Sequence, residues 1–314
     1  MTERVIVYVG ADAGYAGALE VADGRAAVTH VPAEPAALAA ALVEADALLD
    51  ASMKVRITDV MVTAAPRLEI VSCATTGADH IERQALADRG AEVRTLREDP
   101  ELLRNLTPAA ELSWALVLAC ARRLPAAAAH TRAGNWVRED FPGLMLNGRT
   151  LGLVGCGRIG QWMARYGAAF GMNVIGHDPH IAPWPAGIEQ RPLAEVMANS
   201  DVVSVHVHLN EETRGLVSAD LLAAAKPGLV LINTSRGAVV DEDALLAGLE
   251  TGHIGAAGLD VLEGEPDIAA HPLIRYSQTH DNLIVTPHCG GFSPDAVRLV
   301  CRRAAEKILE HFGV

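Results

Sequence analysis

The sequence contains few cysteines and few aromatic residues, and it has no cluster of positive charge. Its 314 residues include five cysteines, none in a CxxC pair, so we expect neither a zinc site nor a disulfide framework. Acidic residues outnumber Lys and Arg by 39 to 26, which gives a formal net charge of −13. Because nucleic acids and anionic lipids are bound by clustered cations, this balance argues against both as partners.

Long apolar segments are also missing. Residues 1–4 lead directly into a short strand-like run and lack the basic and apolar regions of a signal peptide. No apolar run reaches the length needed to span a membrane. Scattered cysteines in a chain without an apparent leader fit a reducing compartment, so we expect a cytoplasmic protein.

What the sequence does contain is an alternation of short apolar runs and helix-like segments. Such alternation is typical of an α/β protein with mainly parallel, doubly wound sheets. Half of the residues are hydrophobic, and the chain is long enough for two domains with separate cores. The strand-like runs lie at 5–9, 47–49, 70–73, 92–94, 151–154, 173–176, 202–205, 229–232, 256–259 and 283–285.

A glycine-rich turn follows the run at 151–154 and precedes a helix-like segment. Gly155 permits a tight turn, Gly157 lets the backbone approach a pyrophosphate, and Gly160 lets the helix pack closely on the sheet. Asp178 ends the next strand-like run, close to the interval of about 20 residues expected for an acid that binds the adenosine ribose. We therefore predict a dinucleotide site that prefers NAD to NADP. The alternatives are a structural turn or a site for another adenosine cofactor.

Two Rossmann-like domains follow from this pattern, and the substrate domain is expected to be discontinuous. The stretch 97–108 loses periodicity and carries two prolines, so the first domain crossing is placed there. The amphipathic pattern over Pro294–Phe312 predicts a helix that returns to the first domain. The predicted substrate (catalytic) domain comprises residues 1–100 plus 292–314, and residues 101–291 form the predicted NAD-binding domain.

Three charged or titratable residues follow successive predicted strands. Arg236 comes after the run at 229–232, Glu265 after 256–259 and His288 after 283–285. Taken singly, each has an ordinary explanation as a surface or loop residue. Ligands of open α/β sheets bind at the carboxyl ends of the strands, however, and together the three supply an anion clamp, an orienting carboxylate and a proton donor for carbonyl chemistry.

At these residues the chain resembles the D-isomer-specific 2-hydroxyacid dehydrogenase family. The resemblance covers residues from about 75 to 291 and rests on an ordered set of motifs. It implies that Arg236 binds the substrate carboxylate and carbonyl, that His288 is the acid/base, and that Glu265 is its partner. The residues it places at the cofactor are Gly155, Gly157, Arg158, Ile159, Gly160, Asp178, His206, Thr213, Thr234, Asp260 and Gly290. Those it places at the substrate are Thr76, Gly77, Ala78 and Asn105. We predict no metal-binding residues.

The chain also departs from the family pattern. The family often has a proline after the His206 position where this chain has Val207 and His208, and the first 70 residues match only in pattern. Formate dehydrogenases of the same fold carry Gln where this chain has Glu265, which makes formate an unexpected substrate. The identity of the 2-oxo acid stays open, and so does a role of Arg97 or Arg104 in binding a second anionic group, against a solvated charge at a domain edge.

The expected function is NAD-dependent oxidation of the CH–OH group of a D-2-hydroxy acid, or the reverse reduction of a 2-oxo acid. The alternative is an NADH-binding, corepressor-like regulatory protein without significant turnover. A different Rossmann enzyme, such as an adenosylmethionine-dependent transferase, leaves the Arg, Glu and His residues unexplained. The resemblance also suggests a homodimer through the nucleotide domain, with Trp114, Trp136 and Phe141 as candidate contact residues.

Overall fold

The computed structural model describes residues 3–314, so Met1 and Thr2 of the N-terminal segment considered above lie outside it. The described chain forms two compact units. The first comprises the residues up to Leu106 together with Gly291–Val314, and the second comprises Thr107–Gly290. Each unit is built around one parallel sheet, and each strand and helix is labelled below in chain order.

The twelve strands in the described range are β1 (Val5–Val9), β2 (Ala27–Val31), β3 (Ala47–Asp50), β4 (Ile70–Cys73), β5 (Glu92–Arg94), β6 (Thr150–Val154), β7 (Asn173–His177), β8 (Glu189–Gln190), β9 (Val202–Val205), β10 (Leu229–Asn233), β11 (Ile254–Leu259) and β12 (Leu283–Val285). The α-helices of the same range are α1 (Asp12–Ala22), α2 (Pro35–Leu42), α3 (Asp59–Thr63), α4 (Arg83–Ala87), α5 (Pro100–Arg104), α6 (Pro108–Ala121), α7 (Leu124–Arg132), α8 (Arg158–Ala169), α9 (Leu193–Asn199), α10 (Ala219–Ala223), α11 (Glu242–Thr251), α12 (Pro272–Ser277) and α13 (Pro294–Phe312). Three 3-10 turns lie at Leu96–Glu98, Arg138–Asp140 and Gly237–Val239.

The first unit has a five-stranded sheet in the order β2-β1-β3-β4-β5, with every pair parallel. This is a doubly wound order, and the chain reverses direction across the sheet between β1 and β3. Side chains alternate between two apolar layers: Leu48 and Val71 enter one, whereas Leu49 and Ile70 enter the other with residues of α13. Because these strands are parallel, the carboxyl ends of β3, β4 and β5 lie at the same edge of the sheet.

The second unit has a seven-stranded parallel sheet in the order β12-β11-β10-β9-β6-β7-β8. Counted from β6, this is the Rossmann order with one added strand, and its reversal point lies between β6 and β9. Residues of β10 again alternate between two cores, with Leu229 and Leu231 on one face and Val230 and Ile232 on the other. The predicted α/β class with two doubly wound parallel sheets is confirmed.

The structure changes several details of the prediction. The predicted boundary after residue 100 falls inside the first unit, because α5 continues from the 3-10 turn at Leu96–Glu98 and places Leu103 in that unit's core. Gly291, predicted in the second domain, also lies in the first unit. Strand β2 and helices α1 and α7 have no counterpart in the prediction. The helix over Pro294–Phe312 is confirmed.

Among the described residues, no single helix has both the length and the apolar composition needed to cross a membrane. The segments Pro100–Ala121 and Leu124–Arg132 pass that test only as a bent pair taken together.

Candidate active site

The glycine turn lies at the reversal point of the second sheet, between β6 and α8. Gly155 has φ +95°, and a Cβ there would lie 2.8 Å from the backbone carbon of His206, so only glycine fits the turn. A Cβ on Gly160 would lie 2.2 Å from Gly155 O, whereas a Cβ on Gly157 would meet open space. Helix α8 begins after Gly157 without a side-chain cap. Its first N–H groups and its positive dipole end are therefore available to an anion.

Asp178 and His206 lie beside this turn. Asp178 Oδ2 accepts a hydrogen bond of 2.9 Å from the Cys156 N–H, which holds the carboxylate against the glycine turn. The His206 N–H donates to Val154 O at 2.7 Å, and its Nε2 lies 2.8 Å from Ser204 Oγ. Burial lowers the pKa of His206 to about 3, so its imidazole is neutral at physiological pH. Its Nδ1 is buried and has no hydrogen-bond partner among the described residues.

Three neighbouring strands, β10, β11 and β12, bring the predicted catalytic residues to one edge of the second sheet. Asp260, directly after β11, is 1% exposed and organises the loop after β12. Its Oδ1 accepts from Thr286 Oγ1 at 2.5 Å and from the Cys289 N–H at 2.9 Å, and its Oδ2 accepts from the Gly290 N–H at 2.7 Å. Asp260 thus holds the loop that carries His288, in addition to the cofactor contact predicted for it.

Glu265 and His288 form a close pair within this edge. His288 Nδ1 lies 2.6 Å from Glu265 Oε1, and both side chains are about one-third exposed. The His288 N–H donates to Asp260 O at 2.8 Å. A carboxylate at this distance orients the ring through Nδ1, which leaves Nε2 available for proton transfer.

Arg236 follows β10 in an extended conformation. Its NH1 donates to Ser235 O at 2.7 Å, and its own carbonyl accepts from Asn233 Nδ2 at 2.9 Å. A Cβ on the next residue, Gly237, would lie 2.1 Å from Glu263 N. The Arg236 segment therefore packs directly against the loop after β11, which contains Glu265.

In the first unit, the predicted substrate loop lies at the carboxyl edge of its sheet, after β4. The Thr75 hydroxyl donates to Gly77 O at 2.7 Å, and Arg97 Nε donates to Thr76 O at 3.0 Å. Asn105 ends helix α5 and is exposed. A buried aspartate, Asp50, contacts His80 at the far end of the loop and accepts from the Ser52 N–H at 2.9 Å.

The remaining predicted cofactor residues make local contacts. The Thr213 hydroxyl donates to His208 O at 2.6 Å, and the Thr234 hydroxyl lies 2.7 Å from Ser113 Oγ. Ser113, which the sequence did not single out, is buried on α6 and donates to Ala109 O. The sequence feature that could have indicated Ser113 is a serine in the middle of an apolar helix.

All five cysteines are free thiols, and burial raises the pKa of the Cys156 thiol to about 12. Cys156 therefore stays protonated at neutral pH. Within residues 3–314, no group of three or more His, Cys, Asp or Glu side chains has the arrangement of a metal site.

Two family models match the chain. Residues 114–290 match the D-isomer specific 2-hydroxyacid dehydrogenase, NAD binding domain, and residues 15–96 match the catalytic domain of the same family. The chain belongs to the D-isomer specific 2-hydroxyacid dehydrogenase family, as the motifs predicted. Its second unit carries the NAD-binding domain of that family, so the expected cofactor is also confirmed.

Individual relatives agree with this assignment. The chain is 41% identical to the D-3-phosphoglycerate dehydrogenase of Mycobacterium tuberculosis over 262 residues, which are 82% of this chain and 48% of the relative. It is 34% identical to the hydroxypyruvate reductase of Thermotoga maritima over 259 residues, 82% of each protein. The crystal structure of the TT0316 protein from Thermus thermophilus has a TM-score of 0.87 at 34% identity and covers 98% of this chain and 97% of its own. The chain spans about half the length of the phosphoglycerate dehydrogenases that it matches.

Proposed function

We propose that the chain is an NAD-dependent D-2-hydroxyacid dehydrogenase, which also acts as a 2-oxoacid reductase. The observation that carries the proposal is the Glu265–His288 pair, at 2.6 Å, on the loops beside Arg236 in an NAD-binding unit. The names of the relatives support a small 2-hydroxy or 2-oxo acid as the substrate.

The residues at the glycine turn suit a bound cofactor. Added Cβ atoms on Gly155 and Gly160 would collide with the backbone, and helix α8 begins without a side-chain cap. Bound NAD supplies the hydride acceptor for C2 of the hydroxy acid. Gly157, Arg158 and Ile159 form the pyrophosphate end of the proposed site, and Asp178 binds the adenosine ribose. A carboxylate at that position repels a 2′-phosphate, so we propose a preference for NAD over NADP. The other proposed cofactor contacts are His206, Thr213, Thr234, Asp260 and Gly290.

The proton step belongs to His288. In the reducing direction, the protonated imidazole donates its Nε2 proton to the oxygen of the forming alkoxide and becomes neutral, and Glu265 stabilises the positive ring until the proton is transferred. Arg236 binds the substrate carboxylate through its planar guanidinium and polarises the carbonyl that is reduced. In the oxidising direction, neutral His288 accepts the hydroxyl proton.

The loop Thr76, Gly77 and Ala78, together with Asn105, is proposed to bind the substrate as well. Its backbone N–H groups suit a carboxylate, because successive amides directed to one point form an anion-binding concavity. A formate-type substrate is not proposed, since Glu265 places a carboxylate where the formate enzymes have an amide.

A reductase assay tests the proposal. Purified protein is mixed with NADH, and in parallel with NADPH, and the loss of reduced cofactor is followed with glyoxylate, hydroxypyruvate, pyruvate, phenylpyruvate, oxaloacetate and 3-phosphonopyruvate. We expect turnover of at least one acid with NADH and much less with NADPH. Tight NADH binding without turnover of any acid would instead support the regulatory alternative.

We further propose a homodimer located in the cytoplasm. Trp136 is 91% exposed and Met145 is 72% exposed on the same segment of the second unit, and large exposed apolar side chains of this kind are common at subunit contacts. The prediction of Trp114 as a contact residue was wrong, because Trp114 is buried and packs on Tyr166 and Phe170. Five free thiols support a reducing compartment.

A further inference from the structure

In the substrate loop of the first unit, the backbone carbonyls are hydrogen-bonded, whereas the N–H groups of the same peptides are not paired within the described part of the chain. In three successive peptides the carbonyl is engaged: Thr75 O accepts from the Leu96 N–H at 2.9 Å, Thr76 O from Arg97 Nε at 3.0 Å, and Gly77 O from the Thr75 hydroxyl at 2.7 Å. The N–H groups of the same peptides, on Thr76, Gly77 and Ala78, have no acceptor among residues 3–314. Buried or half-buried backbone donors are normally paired, so these three amides are available to an external anion.

Within the described chain, three groups donate to these carbonyls, and only Arg97 among them is charged. It binds the oxygen of the Thr76–Gly77 peptide, and in a trans peptide the N–H points away from the carbonyl oxygen. The guanidinium therefore lies behind the peptide whose Gly77 N–H is free. A cation bonded to a carbonyl polarises the whole amide, and this polarisation makes its N–H a stronger donor to an anion.

The charge of Arg97 is not neutralised by its neighbours. The carboxylates of Glu98 and Asp99 face helix α13, where Lys307 Nζ lies 3.1 Å from Glu98 Oε2 and 2.5 Å from Asp99 Oδ2. Arg303 also contacts Asp99, with its Nε 2.6 Å from Asp99 Oδ1. No carboxylate of residues 3–314 lies within ion-pair distance of Arg97.

The segment that carries Arg97 is also held firmly. Lys307 is 2% exposed, and its Nζ donates to Thr95 O at 2.5 Å in addition to its ion pairs. The Thr95 hydroxyl in turn accepts from the Arg97 N–H at 3.3 Å. By contrast Arg104, the other arginine considered from the sequence, lies 2.8 Å from Glu101 on its own short helix.

We propose that Arg97 is a positioning residue for the substrate anion: it fixes and polarises the Thr76–Gly77 peptide, and the free amides of Thr76, Gly77 and Ala78 then bind the carboxylate of the 2-oxo acid. Thr75 acts in the same way on the next peptide. This inference rests on the proposed function, because it takes the acid as the ligand of the loop. It assigns Arg97 no direct contact with the substrate.

The test compares Arg97→Gln with Arg25→Gln as the matched control, because Arg25 is exposed in the same unit and also donates to a backbone carbonyl, Val21 O, at 2.5 Å. Binding of oxamate, an unreactive analogue of a 2-oxo acid, is measured by calorimetry in the presence of saturating NADH, together with the NADH affinity and the KM of the best acid in the reductase assay. We expect Arg97→Gln to weaken oxamate binding and raise the KM about tenfold, as expected for the loss of one charge-assisted hydrogen bond. NADH affinity and kcat should stay within about twofold, and Arg25→Gln should match the original protein.

A second pair of variants keeps the test valid if Arg97→Gln unfolds. Thr75→Val is isosteric and removes the donor to Gly77 O, whereas Thr75→Ser restores it. We expect weaker oxamate binding in the first variant and recovery in the second. Unchanged oxamate affinity in folded Arg97→Gln, equal losses for oxamate and NADH, or no oxamate binding by the original protein would overturn the inference. Absence of turnover with oxamate binding intact would overturn only the proposed enzymatic activity.

Discussion

His288 adopts a left-handed backbone conformation, with φ 51°, although it is not a glycine. That conformation costs about 1–2 kcal/mol for an L-residue and persists where surrounding contacts impose it. Two contacts impose it here: the His288 N–H donates to Asp260 O, and its Nδ1 contacts Glu265. The residue proposed to transfer the proton therefore has a strained backbone, and the loops after β11 and β12 together hold its ring.

Glu265→Gln tests the role of the carboxylate in this pair. The amide keeps the size of the side chain and a hydrogen bond to His288 Nδ1, but it cannot stabilise an imidazolium by charge. We expect kcat to fall by about 10–100-fold while NADH affinity is unchanged, as measured by steady-state reduction kinetics and NADH fluorescence titration. Glu263→Gln is the control, because Glu263 is exposed and pairs with Arg214. Equal kcat values for the two variants would remove Glu265 from the proton step.

The titration of His206 gives a second prediction at the residue scale. Its pKa is lowered by burial to about 3, whereas the unfolded value is about 6.5. Between these pH values the unfolded chain binds a proton that the folded chain does not, so folding stability falls as pH drops from about 6.5 towards about 3. His206→Gln keeps a polar partner for Ser204 and removes this titration. Without NADH, its thermal midpoint should therefore drop less between about pH 7.5 and pH 5, by an amount equivalent to about 1–2 kcal/mol.

Ser204→Ala is the control for that measurement. It removes the hydroxyl that contacts His206 Nε2 but leaves the buried imidazole in place, so it should retain the acid sensitivity of the original protein. If His206→Gln and the original protein lose stability in parallel, the neutral buried imidazole is not the source of the acid sensitivity.

Among the elements, β3 in the first sheet and β9 in the second each follow an aspartate that makes the same two hydrogen bonds to the neighbouring strand. Asp46, before β3, donates its N–H to Val5 O and accepts the Val5 N–H at 2.8 Å. Asp201, before β9, does the same with Thr150, whose N–H it accepts at 2.9 Å. In each sheet a carboxylate thus closes the amino end of the strand pair next to the reversal point, opposite to the edge where the functional loops lie.

Asp201→Asn measures the contribution of this carboxylate in the second unit. Burial raises the pKa of Asp201, but hydrogen bonds from Lys226 and the Thr150 N–H, with the charge of Arg149, lower it by more, and the net pKa lies below the usual value. Its stabilisation is therefore present above about pH 4, the unfolded pKa, and is lost as pH falls through the folded pKa. We expect a loss of about 2 kcal/mol at neutral pH from the weakened partner interactions.

The difference between Asp201→Asn and the original protein should narrow in thermal unfolding below about pH 4, where the aspartate itself becomes protonated. Asp243→Asn, at an exposed position on α11, is the control and should be nearly neutral. A constant difference at all pH values would mean that the charge of Asp201 does not stabilise the sheet.

The elements that the sequence predicted best are those with a strong local signal. Short buried runs such as β10 and β11 were correct because their residues are almost all apolar, and His288 and Glu265 could be expected together because parallel strands end at one edge. Strand β2 was missed because it is a half-exposed edge strand, and α7 was missed because none of its residues is buried. Lys307 was not predictable: its role depends on contacts with residues 95–99, far away in sequence.

For the molecule as a whole, the net negative charge opposes self-association, whereas the placement of exposed apolar side chains favours it at one segment. A net charge of −13 keeps separate copies apart unless a specific contact outweighs the repulsion. The largest exposed apolar side chains of the second unit are concentrated between the start of α7 and β6, where Leu124, Trp136, Val137 and Met145 are 52%, 91%, 46% and 72% exposed. Such a concentration on one segment favours a self-complementary contact over scattered surface residues.

Trp136→Ala is therefore expected to weaken the proposed dimer. A tryptophan at the centre of a contact commonly contributes about 2 kcal/mol or more, roughly a 30-fold change in the dissociation constant, because its large flat side chain excludes water on both faces. The measurement is sedimentation equilibrium over a concentration series, with Val60→Ala as the control, since Val60 is 71% exposed on α3 in the other unit. The variant should approach the monomer mass of 33.1 kDa at concentrations where the control remains dimeric. A monomeric mass for the original protein would reject the dimer, and an unchanged dimer in Trp136→Ala would place its contact on another surface.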